Sequence, residues 1–127
     1  MKMLKKYLNS KETKRYIYIS IAIIAVLSFI LYLKARSNRI QKSIQLYDSA
    51  IVIMQEGDFE NAIPTLKHSL SFNRSNAQAH YALAVSLLRQ KNPDINTAIK
   101  HKNIAQRLGY VMPVWFDNYV KMLSSKR

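Results

Sequence analysis

The side chains of this 127-residue chain that could take part in chemistry are few and widely spaced. The three histidines, His68, His80 and His101, show neither the H-x-x-x-H nor the H-E-x-x-H spacing that brings two imidazoles to one metal ion. The sequence has no cysteine, which excludes thiolate ligands and disulfides. We therefore expect no metal and no cofactor, and we interpret His80 as a half-buried structural residue.

The carboxylates do not suggest a catalytic site either. Glu56, Asp58 and Glu60 cluster around one predicted turn, where acids cap the following helix and interact favourably with its dipole. No glycine-rich phosphate loop and no Ser, His and Asp signature occur. The sequence therefore predicts a protein that is not an enzyme, and binding is the function that remains.

The most distinctive stretch is the run of 18 residues from Tyr16 to Leu33, which contains no charge, glycine or proline. As a helix it would be roughly 27 Å long, close to the thickness of the hydrocarbon core of a bilayer. Lysine and arginine, not the small residues of a cleavage site, follow it, so we predict an uncleaved transmembrane helix. The residues suited to the two membrane interfaces are Tyr16, Tyr18, Tyr32, Lys34 and Arg36.

The net charge of +13 is concentrated beside this run. Ten of the twenty lysines and arginines lie in residues 1–15 and 34–42, where they would attract anionic lipid headgroups. The bilayer is therefore an expected partner, and nucleic acid is not. Six cations precede the run and four follow it, which favours a cytoplasmic N-terminus.

Helical spacing of apolar residues continues beyond the run, and no glycine or proline occurs before Glu56. This favours one long helix, with Ser37 and Asn38 as the expected position of any break. We divide the chain into a basic tail (1–15), a transmembrane helix (16–33), a basic, helical juxtamembrane segment (34–42), two helical repeats (43–110) and a capping helix with a basic tail (111–127).

The repeats are recognised by a period of 34 residues. A shift of this length places Leu46 on His80, Ser49 on Leu83, Ala50 on Ala84 and Ile53 on Leu87. The alanine and isoleucine pairs Ala62-Ile63 and Ala98-Ile99 follow in the second helix of each unit. In this period and pattern the segment resembles the tetratricopeptide repeat family, whose unit is a pair of antiparallel helices. The implied fold class is all-α: a single transmembrane helix, two hairpins and a C-terminal capping helix.

Local signals place the ends of these helices. Gly57 suits a left-handed helix terminus and Asp58 an N-cap, while Pro64 would distort the next helix or delay its start to about Asn61. For the later helices we expect an N-cap at Asn76 or Ser75, an end at Gly109 and a last start near Pro113.

In the resembled family the first helix of each repeat lines a concave groove that binds other proteins. Carried onto this sequence, that face comprises Tyr47, Ile51, Met54, Tyr81, Val85, Leu88 and Arg89. The two tyrosines lie one repeat apart, and either anchor a partner or pack against the chain's own capping or juxtamembrane helix. Arg89 is suited to a carboxylate or another polar contact at the rim.

We therefore expect a membrane-anchored adaptor that binds a membrane-associated protein and supports the assembly of a membrane complex. The resemblance favours a bacterial inner membrane with the repeats in the periplasm. Two alternatives remain open: a structural subunit of a larger membrane complex, and a targeting receptor on an organelle surface with cytosolic repeats.

Overall fold

The computed structural model describes residues 1–8 and 10–126, and this part of the chain is all-helical, without a strand. The predicted all-α class is therefore confirmed. Residues 9 and 127, which belong to the predicted terminal tails, lie outside the described residues. The six helices of the described part are α1 (Lys2–Leu8), α2 (Lys11–Gln55), α3 (Phe59–Phe72), α4 (Ala77–Arg89), α5 (Ile95–Arg107) and α6 (Val114–Ser125).

Helix α2 contains the long apolar run and extends beyond it on both sides. It is continuous through Ser37 and Asn38, so the break considered there does not occur. Within α2 the most apolar window has no residue buried inside the protein. By its length and composition α2 can cross a membrane. The described residues form two compact units, one up to Asn38 and one from Arg39 onward, and only the second contains a buried core.

The end of α2 packs against α3 through small, fully buried residues. The Ser69 hydroxyl donates a hydrogen bond to the Ser43 carbonyl oxygen over 2.7 Å, and the two hydroxyl oxygens lie 3.0 Å apart. Because the one Ser69 proton is used on the carbonyl, the Ser43 hydroxyl must be the donor to Ser69. Ala50, seven residues after Ser43, and Ala62, seven residues before Ser69 on the antiparallel helix, are also 0% exposed. Small side chains at both levels let the two helices approach closely.

Helix α4 forms the centre of the core. Nine of its 13 residues are buried, and it contacts α3 on one side and α5 on the other. Short side chains again occupy fully buried positions, Ala84 on α4 and Ala98 on α5. Larger apolar side chains such as Leu83 and Leu66 fill the spaces between helices, as close packing requires.

Helix α6 covers one side of this core. Phe116 is 0% exposed, and Tyr119, Val120 and Leu123 pack against the same cluster. At the surface the Lys102 ammonium lies 2.6 Å from the Asp117 carboxylate and so connects α5 to α6. The final helix therefore shields apolar surface that the second hairpin would otherwise expose.

The signals for helix ends match the structure closely. Gly57 and Gly109 have φ angles of +83° and +90°, which lie in the left-handed region that favours glycine. The Asp58 carboxylate accepts a hydrogen bond from the Asn61 backbone N–H and caps α3. Of the two residues proposed to cap α4, Asn76 is the N-cap.

Pro64 has a milder effect than its ring suggests. Helix α3 begins at Phe59 and contains Pro64 at its sixth position, so the start of α3 is not delayed to Asn61. Proline has no N–H to donate to the carbonyl of Glu60, four residues earlier. Buried neighbours on both sides of it, Ile63 and Leu66, hold this part of α3 in the core despite the missing bond.

We expect Ser69→Ala to lower the free energy of unfolding by about 1–3 kcal/mol, because it leaves the buried Ser43 hydroxyl without an acceptor. The double variant Ser43→Ala/Ser69→Ala should lose less stability than the sum of the losses in the two single variants, because it removes both polar groups. Unfolding of the detergent-solubilised chain can be followed by fluorescence, because its one tryptophan, Trp115, lies in the unit that contains the core.

The matched control is Ser49→Ala, an exposed serine of the same helix whose hydroxyl bonds only to the Gln45 carbonyl. It should change stability by no more than about 0.5 kcal/mol. Strict additivity of the Ser43 and Ser69 substitutions would contradict the assigned hydrogen-bond pair.

Candidate functional site

An aromatic cleft of about 350 Å³ lies in the second unit, between α2, α4 and the segment that leads into α6. Aromatic and aliphatic side chains form most of its surface, with a single charged group, Arg89. Its lining residues are Tyr47, Ile51, Met54, Gln55, Phe59, Tyr81, Ala82, Val85, Arg89, Tyr110 and Trp115. We call this surface the aromatic cleft.

Most of the residues expected to line a groove lie together in this cleft. They come from α2 (Tyr47, Ile51 and Met54) and from α4 (Tyr81, Val85 and Arg89). Leu88 is placed differently: its side chain is only 1% exposed and belongs to the core beneath the cleft. One face of each of the two helices therefore contributes to a single surface.

Tyr81 is held in place by aromatic residues that follow α5. Its ring stacks on Tyr110 with centroids 4.6 Å apart and an interplanar angle of 22°, and it lies 6.4 Å from the ring of Phe116. Tyr110 reaches this position because Gly109 reverses the chain after α5, and the Tyr110 N–H bonds to the Ala105 carbonyl. Tyr81 thus contacts the chain's own C-terminal segment while still lining the cleft.

The guanidinium group of Arg89 lies between two aromatic rings. Its central carbon is 5.6 Å from the ring centre of Phe59 and 5.4 Å from that of Trp115. Both distances fall in the range of cation–π attraction. Among the described residues Arg89 has no carboxylate partner. The rings therefore position a cation whose N–H groups are available to an acidic group of a ligand.

Tyr47 and Tyr81 in the cleft are harder to ionise than exposed tyrosines. Burial raises the pKa of Tyr47 above its ordinary value, and negative charge on Tyr110 and Asp48 would raise it further. Burial also raises the pKa of Tyr81, reinforced by Tyr110, whereas a hydrogen bond with Trp115 and the charge of Arg89 act in the opposite direction. Both phenols therefore stay neutral at physiological pH and can donate hydrogen bonds to a ligand.

Three aromatic residues of the lining were not part of the predicted groove: Phe59, Tyr110 and Trp115. The sequence placed Phe59 in the turn of the first repeat, Tyr110 at the end of the two repeats (43–110) and Trp115 in the capping helix. The wide apolar face of α6 was a signal that this helix covers something. The sequence did not indicate that its first turn would border the same cleft.

The histidines also form an arrangement that their spacing did not predict. Nδ1 of His80 lies 2.9 Å from Nδ1 of His101, and the two ring centres are 5.1 Å apart at an interplanar angle of 25°. His80 is 6% exposed, so it is more deeply buried than the half-buried residue expected from sequence. The described residues include no group of three His, Cys, Asp or Glu side chains able to hold a metal ion.

The five residues expected at the membrane interfaces all lie on α2. Tyr16, Tyr18 and Tyr32 are 67%, 71% and 60% exposed, and Lys34 and Arg36 are exposed as well. Their assignment to the interfaces stays a prediction.

Comparisons with protein-family models, with curated proteins and with solved structures give no match for this chain. The interpretation of its function therefore depends on the residues and geometry described above.

The raised pKa values predict a steeper loss of stability at alkaline pH than exposed tyrosines would cause. A phenol whose pKa is raised by folding contributes stability that is present below its unfolded value, about 10, and is lost as the pH rises through its folded value. The free energy of unfolding, measured with denaturant, should therefore fall less between about pH 8 and pH 11 in the variant Tyr47→Phe/Tyr81→Phe than in the wild type. Tyr7→Phe, at a 74% exposed position, is the control. Equal pH dependence in all three proteins would rule out this effect.

Proposed function

We propose that this chain is a single-pass membrane protein whose helical module, resembling tetratricopeptide repeats, binds a protein partner and supports the assembly of a membrane complex. The observation that carries the proposal is the aromatic cleft, in which side chains of two helices of the module meet around Arg89, which has no carboxylate partner in the described part of the chain. The localisation that we propose with it is the bacterial inner membrane, with a cytoplasmic N-terminus and a periplasmic module.

The anchor is supported by the composition and exposure of α2. A helix that presents isoleucine, leucine, valine and phenylalanine all round, without burying them in the protein, is unfavourable in water. A bilayer removes this surface from water without any further protein contact. The cations on both sides of the apolar run would remain at the headgroups.

The chemistry of the cleft indicates what part of a partner it would bind. Tyr47 and Tyr81 offer ring faces and neutral hydroxyl groups, and Ile51, Met54 and Val85 offer aliphatic surface. Arg89 adds a positioned cation. A segment with an apolar or aromatic side chain and a nearby Asp, Glu or terminal carboxylate would fit both the aromatic surface and the Arg89 cation. Aromatic residues and arginine are also the types that most often dominate the energy of binding.

A photocrosslinking amino acid placed at Gln55, an exposed residue that lines the cleft, should capture the partner in intact membranes. Adding Arg89→Glu to that protein should reduce the crosslinked species at least about tenfold, because an acidic group on the partner would then face a like charge. Tyr47→Ala should weaken capture by a similar factor through loss of ring contact.

Two variants serve as matched controls for these substitutions. Lys121→Glu makes the same charge change at an exposed position of α6, and Val52→Ala shortens a side chain that is 53% exposed on α2. Both should crosslink like the wild type. Equal crosslinking of Arg89→Glu and Lys121→Glu would place the interface outside the aromatic cleft.

Co-purification in detergent separates an adaptor from a structural subunit. We expect a substoichiometric set of partners that high salt reduces, because Arg89 contributes through charge. A stoichiometric, salt-resistant assembly would instead favour the structural subunit.

Reporter fusions test the proposed topology independently of binding. An alkaline phosphatase fused after Lys126 should be active, since this enzyme requires an oxidising compartment for its disulfides. The same reporter fused at the N-terminus should be inactive. The reverse result would contradict the periplasmic placement and favour a cytosolic module.

A further inference from the structure

A second cavity, of about 550 Å³, lies between α3, α4 and α5 and differs from the aromatic cleft in its charge. Its lining includes three cations from three parts of the chain: Lys67 on α3, Arg74 in the connection before α4, and Arg107 at the end of α5. The histidines His80 and His101 line it too. We call this cavity the basic pocket.

No carboxylate lines the basic pocket, and its three cations form no ion pair with any described residue. Like charges gathered around one cavity repel each other, and the repulsion is relieved when an anion enters. Lysine and arginine side chains that converge from separate elements are the usual way in which proteins hold phosphate groups.

The histidine pair adds a donor whose state can be worked out from its hydrogen bonds. Nε2 of His80 lies 3.0 Å from the Arg74 carbonyl oxygen, which can only accept, so this nitrogen carries a proton. The contact between the two Nδ1 atoms holds one further proton. In the neutral pair that proton belongs to His101, and Nε2 of His101 is then bare.

The next proton taken up by the pair therefore has one available place. The hydrogen bond between the two Nδ1 atoms has room for one proton only, because a second proton there would break it. A pair with a single positive charge must therefore carry its extra proton on Nε2 of His101. Nε2 of His101 has no hydrogen-bond partner among the described residues. Protonation thus changes a free acceptor into a free donor beside the cavity.

We infer that the basic pocket is a binding site for the phosphate group of an organic phosphate, held by Lys67, Arg74 and Arg107 and joined by a proton on Nε2 of His101. The cavity is larger than a bare phosphate ion, and Leu70, Leu83 and Ile104 also line it. These apolar side chains offer a surface for the carbon part of the ligand. The same chemistry fits a small soluble phosphate ester and the headgroup region of an anionic phospholipid.

Binding and protonation are coupled in this arrangement. Burial lowers the pKa of His101, and positive charge on His80 (α4), Lys100 (α5) and Lys67 (α3) lowers it further, so the free pocket favours a neutral His101. Arg74 and Arg107 also border the cavity. A bound anion favours the charged imidazole, and by reciprocity proton uptake must strengthen anion binding.

The binding test uses the full chain in a non-ionic detergent and isothermal titration with three probes: phenyl phosphate, dihexanoyl phosphatidylglycerol and dihexanoyl phosphatidylcholine. Arg74→Gln should weaken binding about tenfold or more, because it removes one charge-assisted contact to the phosphate group. The carbonyl that accepts from His80 is retained in this variant. Lys121→Gln, exposed on α6 and distant in sequence from the pocket, is the matched control and should bind like the wild type.

The probes distinguish the two sources of the phosphate group. Preference for phenyl phosphate over both lipids supports a soluble ester, and preference for phosphatidylglycerol over phosphatidylcholine and phenyl phosphate supports an anionic lipid. Either result must be sensitive to Arg74→Gln. Failure of all three probes to bind, or equal binding by Arg74→Gln and Lys121→Gln, would overturn the inference.

Sulfate provides the test of proton coupling, because its charge is constant across the range in which histidine titrates. Its affinity should rise as the pH falls from about 7.5 to about 5.5, and His101→Gln should bind sulfate with little dependence on pH. In ¹⁵N spectra the Nε2 signal of His101 should change from the bare to the protonated form when sulfate is added. A pH dependence that persists in His101→Gln would contradict the assigned proton site.

Discussion

The close approach of neighbouring helices is the constraint on which the rest of the module depends. Ser43, Ala50, Ala62 and Ser69 are all 0% exposed where α2 meets α3, and larger residues at these positions would force the helices apart. Tyr47, Ile51 and Met54 lie on the same stretch of α2 and line the aromatic cleft. Buried serines and alanines between α2 and α3 therefore hold in place the stretch of α2 that forms one wall of the cleft.

Much of the local structure could be predicted because it depends on neighbours in sequence. Gly57, Asp58 and Asn76 act through their own backbone or the next turn, and the 34-residue period brought Tyr47 and Tyr81 into equivalent positions. Other features depend on contacts between distant residues. The His80–His101 pair requires the offset between α4 and α5, which the bond from the Asp94 N–H to the Leu87 carbonyl helps to set. Pro64 shows tertiary packing outweighing a local rule, since α3 keeps it as an interior residue.

The positions of the charged residues are more informative about the module than its net charge. Several of the few carboxylates in the module have structural partners: Asp58 and Asp94 cap helices, Asp117 pairs with Lys102, and Glu60 accepts from the Lys91 N–H. None of these acids lines the aromatic cleft or the basic pocket. Arg89 in one cavity and the three cations of the other remain without carboxylate partners among the described residues.

The contribution of Tyr110 and Trp115 to the aromatic cleft has an evolutionary consequence. Both residues lie outside the helix seams, Tyr110 in the connection after Gly109 and Trp115 in the first turn of α6, and Trp115 is 37% exposed. Substitution there would alter the wall of the cleft while leaving the serines and alanines between the helices unchanged. Part of the cleft wall is thus formed by residues outside the helix seams, so selection could change its shape at these two positions without first having to compensate for a weakened seam between helices.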